Sequence, residues 1–192
     1  MKNLLPFDGN LFYFPNAIPV SATLFARLMK EIPWQNETVR MFGKQITMRR
    51  MVSWHADEGL TYSYSGIRKT ASAWTDALLE MKSVCETLSK AEFNSCLLNL
   101  YPEGRDSMGW HSDNEKELGP DPLIASVSLG AARPFSLRHT ASGETVSIML
   151  EHRSILFMGS GVQKHWKHSL PPMNKISTPR INLTFRKIFN EL

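Results

Sequence analysis

Beyond residue 94 the chain is written in short β-type runs broken by turn residues: SCLLNLY, IASVSLG, PFSLRH, TVSIML, SILFMG and RINLTFR. Many short strands filling the C-terminal part, with helical periodicity confined to the first half, indicate a sandwich or jelly-roll core with helices laid against one sheet. Two helices are predicted. Ser21 caps one that runs through Ile32, with Leu24, Phe25, Leu28, Met29 and Ile32 at helical spacing and Pro33 closing it. The other runs from about Ala73 to Ser89 and carries Trp74, Leu78, Met81, Cys85 and Leu88 on one face. Between them TVRMFGKQITMRRMVSW reads as two strands around Gly43-Lys44, a glycine supplying the positive φ of a tight hairpin turn. The expected class is α+β.

A chain of 192 residues suits one domain, taken as 1–192, and its 42% hydrophobic and 21% charged content argues against disorder. No run approaches the roughly 18 apolar residues of a membrane span, and MKNLLPFDGN breaks at Pro6 and Asp8 before a signal-like segment develops. The expected address is cytoplasmic, nuclear in a eukaryotic host, with no membrane partner. Cys85 and Cys96 are too few for a disulfide framework or a zinc knuckle and are expected as core thiols. A net charge of +4 suits a polyanionic partner without requiring one.

The tripeptide His-Ser-Asp inside MGWHSDNEK carries the first chemistry. In an extended segment residues i and i+2 project the same way, so His111 and Asp113 can converge on one point. With a distant second histidine this makes the facial triad of non-haem Fe(II) oxygenases, which leaves three coordination positions open. GVQKHWKHSLP supplies His165 and His168, and either could close the triad. Alternation sends the two to opposite faces of an extended segment, so one at most is a ligand, and spacing does not choose. His55, His139 and His152 lack a neighbouring carboxylate at metal-binding spacing and read as loop or surface groups.

The run RINLTFRK alternates strictly, with Arg180, Asn182, Thr184 and Arg186 on one face and Ile181, Leu183 and Phe185 on the other. The apolar set is expected in the core between the sheets, the polar set toward a cavity or water. Arginines six residues apart lie about 20 Å apart along a strand, which fits a small dicarboxylate held between them. Arginine binds carboxylates bidentately, and 2-oxoglutarate has one at each end. SCLLNLY repeats the pattern, with Asn99 and Tyr101 on one face and Leu98 and Leu100 on the other.

Together these residues resemble the AlkB family of Fe(II)- and 2-oxoglutarate-dependent nucleic-acid dealkylases. The resemblance runs from about Val39 to Ile188 and is carried by MFGK, GLTYSYSG, FNSCLLNLY, DSMGWHSDNE, IASVSLGAARPF, HWKHSLP and PRINLTFRK. It implies a double-stranded β-helix (jelly-roll) core over about 94–188, N-terminal helices packed on one sheet, and a nucleotide-recognition hairpin region over about 37–70. It implies iron held by His111, Asp113 and His168, the HSL context favouring His168 over His165. Arg180, helped by Asn99 and Tyr101, resembles the partner of the distal carboxylate of 2-oxoglutarate, Arg186 the arginine near the metal-bound end, and Thr184 a further contact. A flipped base would lie between Tyr64 and His111, with Tyr62 and Glu115 as polar neighbours. Phe42 resembles the finger that fills the gap in a duplex, and Arg49 and Arg50 are candidates for phosphate.

The activity implied is oxidative dealkylation of 1-methyladenine and 3-methylcytosine using Fe(II), O2 and 2-oxoglutarate, with release of aldehyde, succinate and CO2. The implied partner is alkylated DNA, single- or double-stranded, or RNA, acted on by a monomer. FNSCLLNLY and DSMGWHSDNE look more like the paralogue favouring single strands and RNA, MFGK and GLTYSYSG more like the duplex-acting one, so strand preference stays open. Two other readings use the same residues: an oxygenase of this kind acting on protein or a small molecule, and a catalytically silent nucleic-acid-binding module.

Overall fold

The computed structural model describes residues 2–19, 23–41, 44–64 and 67–189, with backbone alone at 37, 39–41, 44, 46, 61–64 and 67–70. Thirteen strands are assigned among them. They are β1 (Leu11–Phe14), β2 (Gln35–Met41), β3 (Lys44–Ala56), β4 (Thr61–Tyr64), β5 (Ile67–Thr70), β6 (Ser95–Tyr101), β7 (Met108–His111), β8 (Ile124–Gly130), β9 (Arg133–His139), β10 (Thr145–Leu150), β11 (Ser154–Met158), β12 (Trp166–Leu170) and β13 (Arg180–Arg186). The helices are α1 (Leu24–Glu31), α2 (Asp76–Ser89) and a single turn, α3 (Val162–His165).

A seven-stranded sheet in the order β1-β11-β8-β13-β6-β3-β2 faces a four-stranded sheet in the order β10-β9-β12-β7. From β6 to β13 the chain passes back and forth between them, which makes the jelly roll the short strands predict. Beta2 and β3 form a hairpin with Met41 opposite Lys44, and β4 and β5 form a separate ribbon. Among the described residues no helix is long and apolar enough to cross a membrane.

The helices cover one face of the large sheet. Thr75 caps α2, its hydroxyl accepting the Leu78 N–H at 3.3 Å, so the helix starts at Asp76 rather than Ala73. Its buried stripe is Ala77, Leu78, Met81 and Cys85, while Leu88, in the last turn, is 38% exposed. Helix α1 buries Leu24 and Leu28 and leaves Met29 38% exposed. Ser21, the expected cap, lies outside the described residues.

One expectation about β13 is reversed. Ile181, Leu183 and Phe185 do not fill the space between the sheets; they pack with Leu98, Leu100, Leu28, Leu78 and Cys85 under the helices. Helices on the outer face of the large sheet bury apolar side chains there, and the inner face is left to the polar residues. Cys85 and Cys96 are both in this core, where burial pushes their thiols up.

Candidate metal centre

A cavity of about 280 Å³ lies between the sheets. The two-residue period of a strand supplies its walls: Arg50, Val52 and Trp54 from β3, Asn99 and Tyr101 from β6, Arg180, Asn182, Thr184 and Arg186 from β13. The small sheet closes it with His111 and His168, and the segment after β7 adds Asp113 and Glu115.

At one end, the antiparallel register of β12 against β7 sets His168 directly opposite His111. Their Nε2 atoms are 3.1 Å apart, and Asp113 Oδ1 lies 3.7 Å from His111 Nε2. The three donor atoms are all within 4.8 Å of one another. His111 Nδ1 is 2.9 Å from the Gly109 carbonyl. A proton held there leaves Nε2 with a lone pair for a metal, the usual outer-shell arrangement of a ligating histidine. Gln163 Oε1 accepts the Asp113 backbone N–H at 2.9 Å and fixes the segment that carries the carboxylate.

Charge prepares the same end. Burial pushes the Asp113 carboxyl up, but the Arg186 guanidinium, donating through Nη2 at 2.6 Å, outweighs it together with the neighbouring histidines, and the group is held down at about 2. Burial likewise drives His168 down to about 4 against the pull of Asp113. An ionised carboxylate and a neutral imidazole are the forms a divalent ion needs. His165 is not part of this group. It ends the helical turn α3, and the strand begins only at Trp166, so the alternation argument does not apply to it.

At the other end stands Arg180, 2% exposed and directly opposite Tyr101 in the register of β13 on β6. Its guanidinium lies 5.5 Å from the Tyr101 ring centre and donates to Ser128 Oγ at 2.9 Å, while its buried Nε has no hydrogen-bond partner. Burial lowers its pKa to about 10, partly offset by Tyr101. A buried cation with an unused donor facing a cavity fits a carboxylate ligand. Arg133 is also fully buried and its Nε likewise has no hydrogen-bond partner, but it does not line the cavity, and its Nη2 donates to the carbonyls of Asp106 (2.8 Å) and Pro171 (2.9 Å), so it braces loops. Gly130, with φ of +90°, makes the approach possible, because a Cβ there would collide with the Pro179 carbonyl.

The middle of the cavity is a hydrogen-bonded floor. Thr184 Oγ1 donates to Asn182 Oδ1 at 3.1 Å, and Asn182 Nδ2 donates to Ser126 Oγ and to the Val127 carbonyl, both at 2.9 Å. Asn99 Oδ1 accepts from Arg50 Nη1 at 2.9 Å. Glu115 faces the cavity with a buried Oε2 that has no hydrogen-bond partner.

His111, Asp113, His168, Asn99, Tyr101, Arg180, Thr184, Arg186 and Glu115 therefore share one cavity. Phe42 lies outside the described residues, as do the side chains of Tyr62 and Tyr64 on β4. The phosphate reading is corrected for Arg50, which is buried in the cavity wall; Arg49, its side chain 46% exposed, pairs with Glu103 (3.2 Å) and Asp106 (3.4 Å). The reading of His55 and His139 as loop or surface groups is corrected too. His55 is 1% exposed, with Nδ1 2.6 Å from the Ala73 carbonyl, and His139 is 5% exposed. Arg50, Asn182 and Gln163 are site residues that sequence reasoning leaves without a role there. Alternation with Val52 and Trp54 could have turned Arg50 inward, and Asn182 already lay on the polar face. Nothing local marks Gln163.

Comparison with known proteins agrees with this geometry. The family model of the 2OG-Fe(II) oxygenase superfamily matches residues 11–186. The DNA oxidative demethylase ALKBH2 of Mus musculus is 42% identical over 159 residues, covering 78% of this chain and 66% of that protein. The Homo sapiens ALKBH2 is 38% identical over 176 residues (86% and 67%), and the alpha-ketoglutarate-dependent dioxygenase alkB homolog 3 of Bos taurus is 35% identical over 177 (87% and 61%). The chain thus spans about two-thirds of the length of these relatives. A solved structure of OsALKBH1 aligns with a TM-score of 0.65 at 14% identity, covering 92% of this chain and 97% of that one. A prolyl hydroxylase from Trichoplax adhaerens aligns with 0.63 at 13% (93% and 83%), and at such identities the likeness concerns the fold alone. The chain belongs to the AlkB family of the 2OG-Fe(II) oxygenase superfamily, whose chemistry draws on Fe(II), 2-oxoglutarate and O2.

Proposed function

We propose that this chain is an oxidative demethylase of N-alkylated bases in nucleic acid, with DNA as the first substrate to test. The observation that carries the reading is that a single cavity joins three metal-competent side chains at one end to a buried arginine with an uncommitted donor at the other. His111, Asp113 and His168 would hold Fe(II). Arg180 would take the distal carboxylate of 2-oxoglutarate, with Tyr101 and Asn99 beside it and Thr184 on the floor. Arg186, bonded to Asp113, would stand by the metal-bound end of the keto acid.

When bound, the iron supplies the oxidant: 2-oxoglutarate and O2 yield succinate and CO2, and the N-alkyl carbon is hydroxylated and lost as aldehyde. The protein's own contribution is placement. Arg180 and the floor fix one co-substrate end, the strand register fixes the imidazoles, and apolar walls such as Val52 and Trp54 keep water from the reacting carbon. Tyr64 and His111 would clasp the flipped base, an arrangement favourable to cationic lesions such as 1-methyladenine and 3-methylcytosine. Tyr62 and Glu115 would hydrogen-bond its edge, and Phe42 would fill the gap in a duplex.

The test incubates iron-loaded protein with 2-oxoglutarate and oligonucleotides carrying these lesions as single-stranded DNA, duplex DNA and RNA. Formaldehyde and succinate should appear together, and the three substrates should rank. Intact methyl groups at full metal loading would sink the proposal. Succinate formation stimulated by peptides rather than methylated nucleic acid would move it to another substrate class.

A further inference from the structure

A second group of metal-competent side chains lies away from the cavity. We propose that Asp8, His139 and His165 form a second site, for a borderline divalent transition ion such as Zn(II), which staples the N-terminal segment to the small sheet. Their donor atoms lie within 4.8 Å of one another, and none of the three lines the cavity.

The fold brings them together from three places. Beta9 ends at His139, which is opposite Trp166 in the register of β12 on β9. His165 is the residue before Trp166, and its carbonyl accepts the Thr140 N–H at 2.8 Å, so the two histidines are neighbours by pairing. The segment ahead of β1 delivers Asp8. It is held by Asn3, whose Nδ2 donates to the Gly9 carbonyl and whose Oδ1 accepts the Leu11 N–H, both at 2.8 Å, and by Trp166 Nε1 donating to the Asp8 carbonyl at 3.2 Å.

His139 is preorganised. Its ring, 95% buried, is gripped by Phe7 and Trp166, each with a centroid 4.9 Å away. Nε2 is buried and makes no hydrogen bond, although Asp8 Oδ2 is only 3.3 Å away. At that distance the carboxylate must stand off the N–H axis, which suits a shared ion better than a hydrogen bond. Nδ1 accepts the Ser142 backbone N–H at 3.1 Å and lies 3.0 Å from Ser142 Oγ. In the empty site the ring proton therefore sits on Nε2; an ion there would displace it, as metal binding does, and the proton would move to Nδ1, where the Ser142 hydroxyl can accept it once the Ser142 N–H turns away.

Zinc at about 2.1 Å from each donor puts donors about 3.4 Å apart. Asp8, with its side chain 53% exposed, and His165, half-buried, can turn to close that gap while His139 stays fixed. Two imidazoles and one carboxylate favour Zn, Ni or Cu over Mg or Ca, and the partly exposed rim leaves room for a water as fourth ligand.

The test removes the cavity's own metal site first. Metal-free protein carrying Asp113→Ala and His168→Ala, its folding verified by circular dichroism, is titrated with zinc by calorimetry. One equivalent should bind and raise the unfolding temperature. Adding Asp8→Asn and His165→Ala should abolish both effects, and Ser142→Ala should weaken affinity about tenfold. No uptake by the triad-disabled chain, or equal uptake after Asp8→Asn and His165→Ala, would overturn the proposal. Failure of the Fe(II) assignment is a separate outcome: the unaltered protein would then take up no more zinc than the triad-disabled one.

Discussion

The two faces of β6 and β13 are equally hidden and chemically opposite. Every residue of β13 is buried, yet Ile181, Leu183 and Phe185 face a helix-covered apolar core while Arg180, Asn182, Thr184 and Arg186 face the cavity. Burial therefore does not separate structure from chemistry in these strands; the partners of each side chain do. On the outer face each group is satisfied by contact. Around the cavity Arg180 Nε, Glu115 Oε2 and His168 Nδ1 have no hydrogen-bond partner; Arg133 Nε, outside it, has none either, so it is their gathering about one space, not a single such atom, that suits a binding site.

The sharpest way to break this comparison is to alter one residue of each kind. His168→Ala on the cavity side should reduce dealkylation to background while circular dichroism and the unfolding midpoint stay close to those of the parent. Phe185→Ala on the helix side should do the reverse. Its ring is fully buried between Trp74 (centroid 6.3 Å) and Phe93 (6.2 Å), and truncation should cost about 3–5 kcal/mol in denaturant unfolding. The fraction that remains folded should keep its KM for 2-oxoglutarate. If the KM moves with stability, the two faces are not independent.

Two buried arginines test the same distinction within one side-chain type. Arg133→Met strips the donors from two loop carbonyls and should cost about 3 kcal/mol of stability, with the KM for 2-oxoglutarate unchanged. Arg180→Met removes a charge whose burial disfavours the empty fold, so the unfolding midpoint should hold or rise. Losing a buried carboxylate partner should raise the KM for 2-oxoglutarate about 100-fold. Equal stability losses in both variants would mean that Arg180 is a brace as well.

Much of the inner face was legible because it is periodic. The alternation in RINLTFRK and SCLLNLY sorts the cavity residues from the core residues, and His-x-Asp at i, i+2 places two donors together without knowledge of the fold. Alternation does not say which face a helix will cover, so it cannot tell that Ile181, Leu183 and Phe185 lie under the helices rather than between the sheets. It also fails where an element changes type, as between His165 in a helical turn and His168 in a strand. Contacts made across the chain have no local signature. Asp8 beside His139, Gln163 beneath Asp113 and Arg133 on two distant carbonyls depend on register and loop paths that only the assembled sheets define.

The smallest expected effect is the cleanest control. Thr75 does not line the cavity, and its hydroxyl accepts the Leu78 N–H at the start of α2. Thr75→Ala should leave that donor without its side-chain acceptor and cost about 1 kcal/mol, seen as a lower unfolding midpoint. Because α2 touches β13 through the side chains of the outer face, and the strand's backbone is held on both edges by β6 and β8, a loss of this size should stop at the helix. The KM for 2-oxoglutarate and the turnover rate should match the parent's. A change in either would show that the helix layer sets the position of the inner residues, and the separation between the faces would have to be given up.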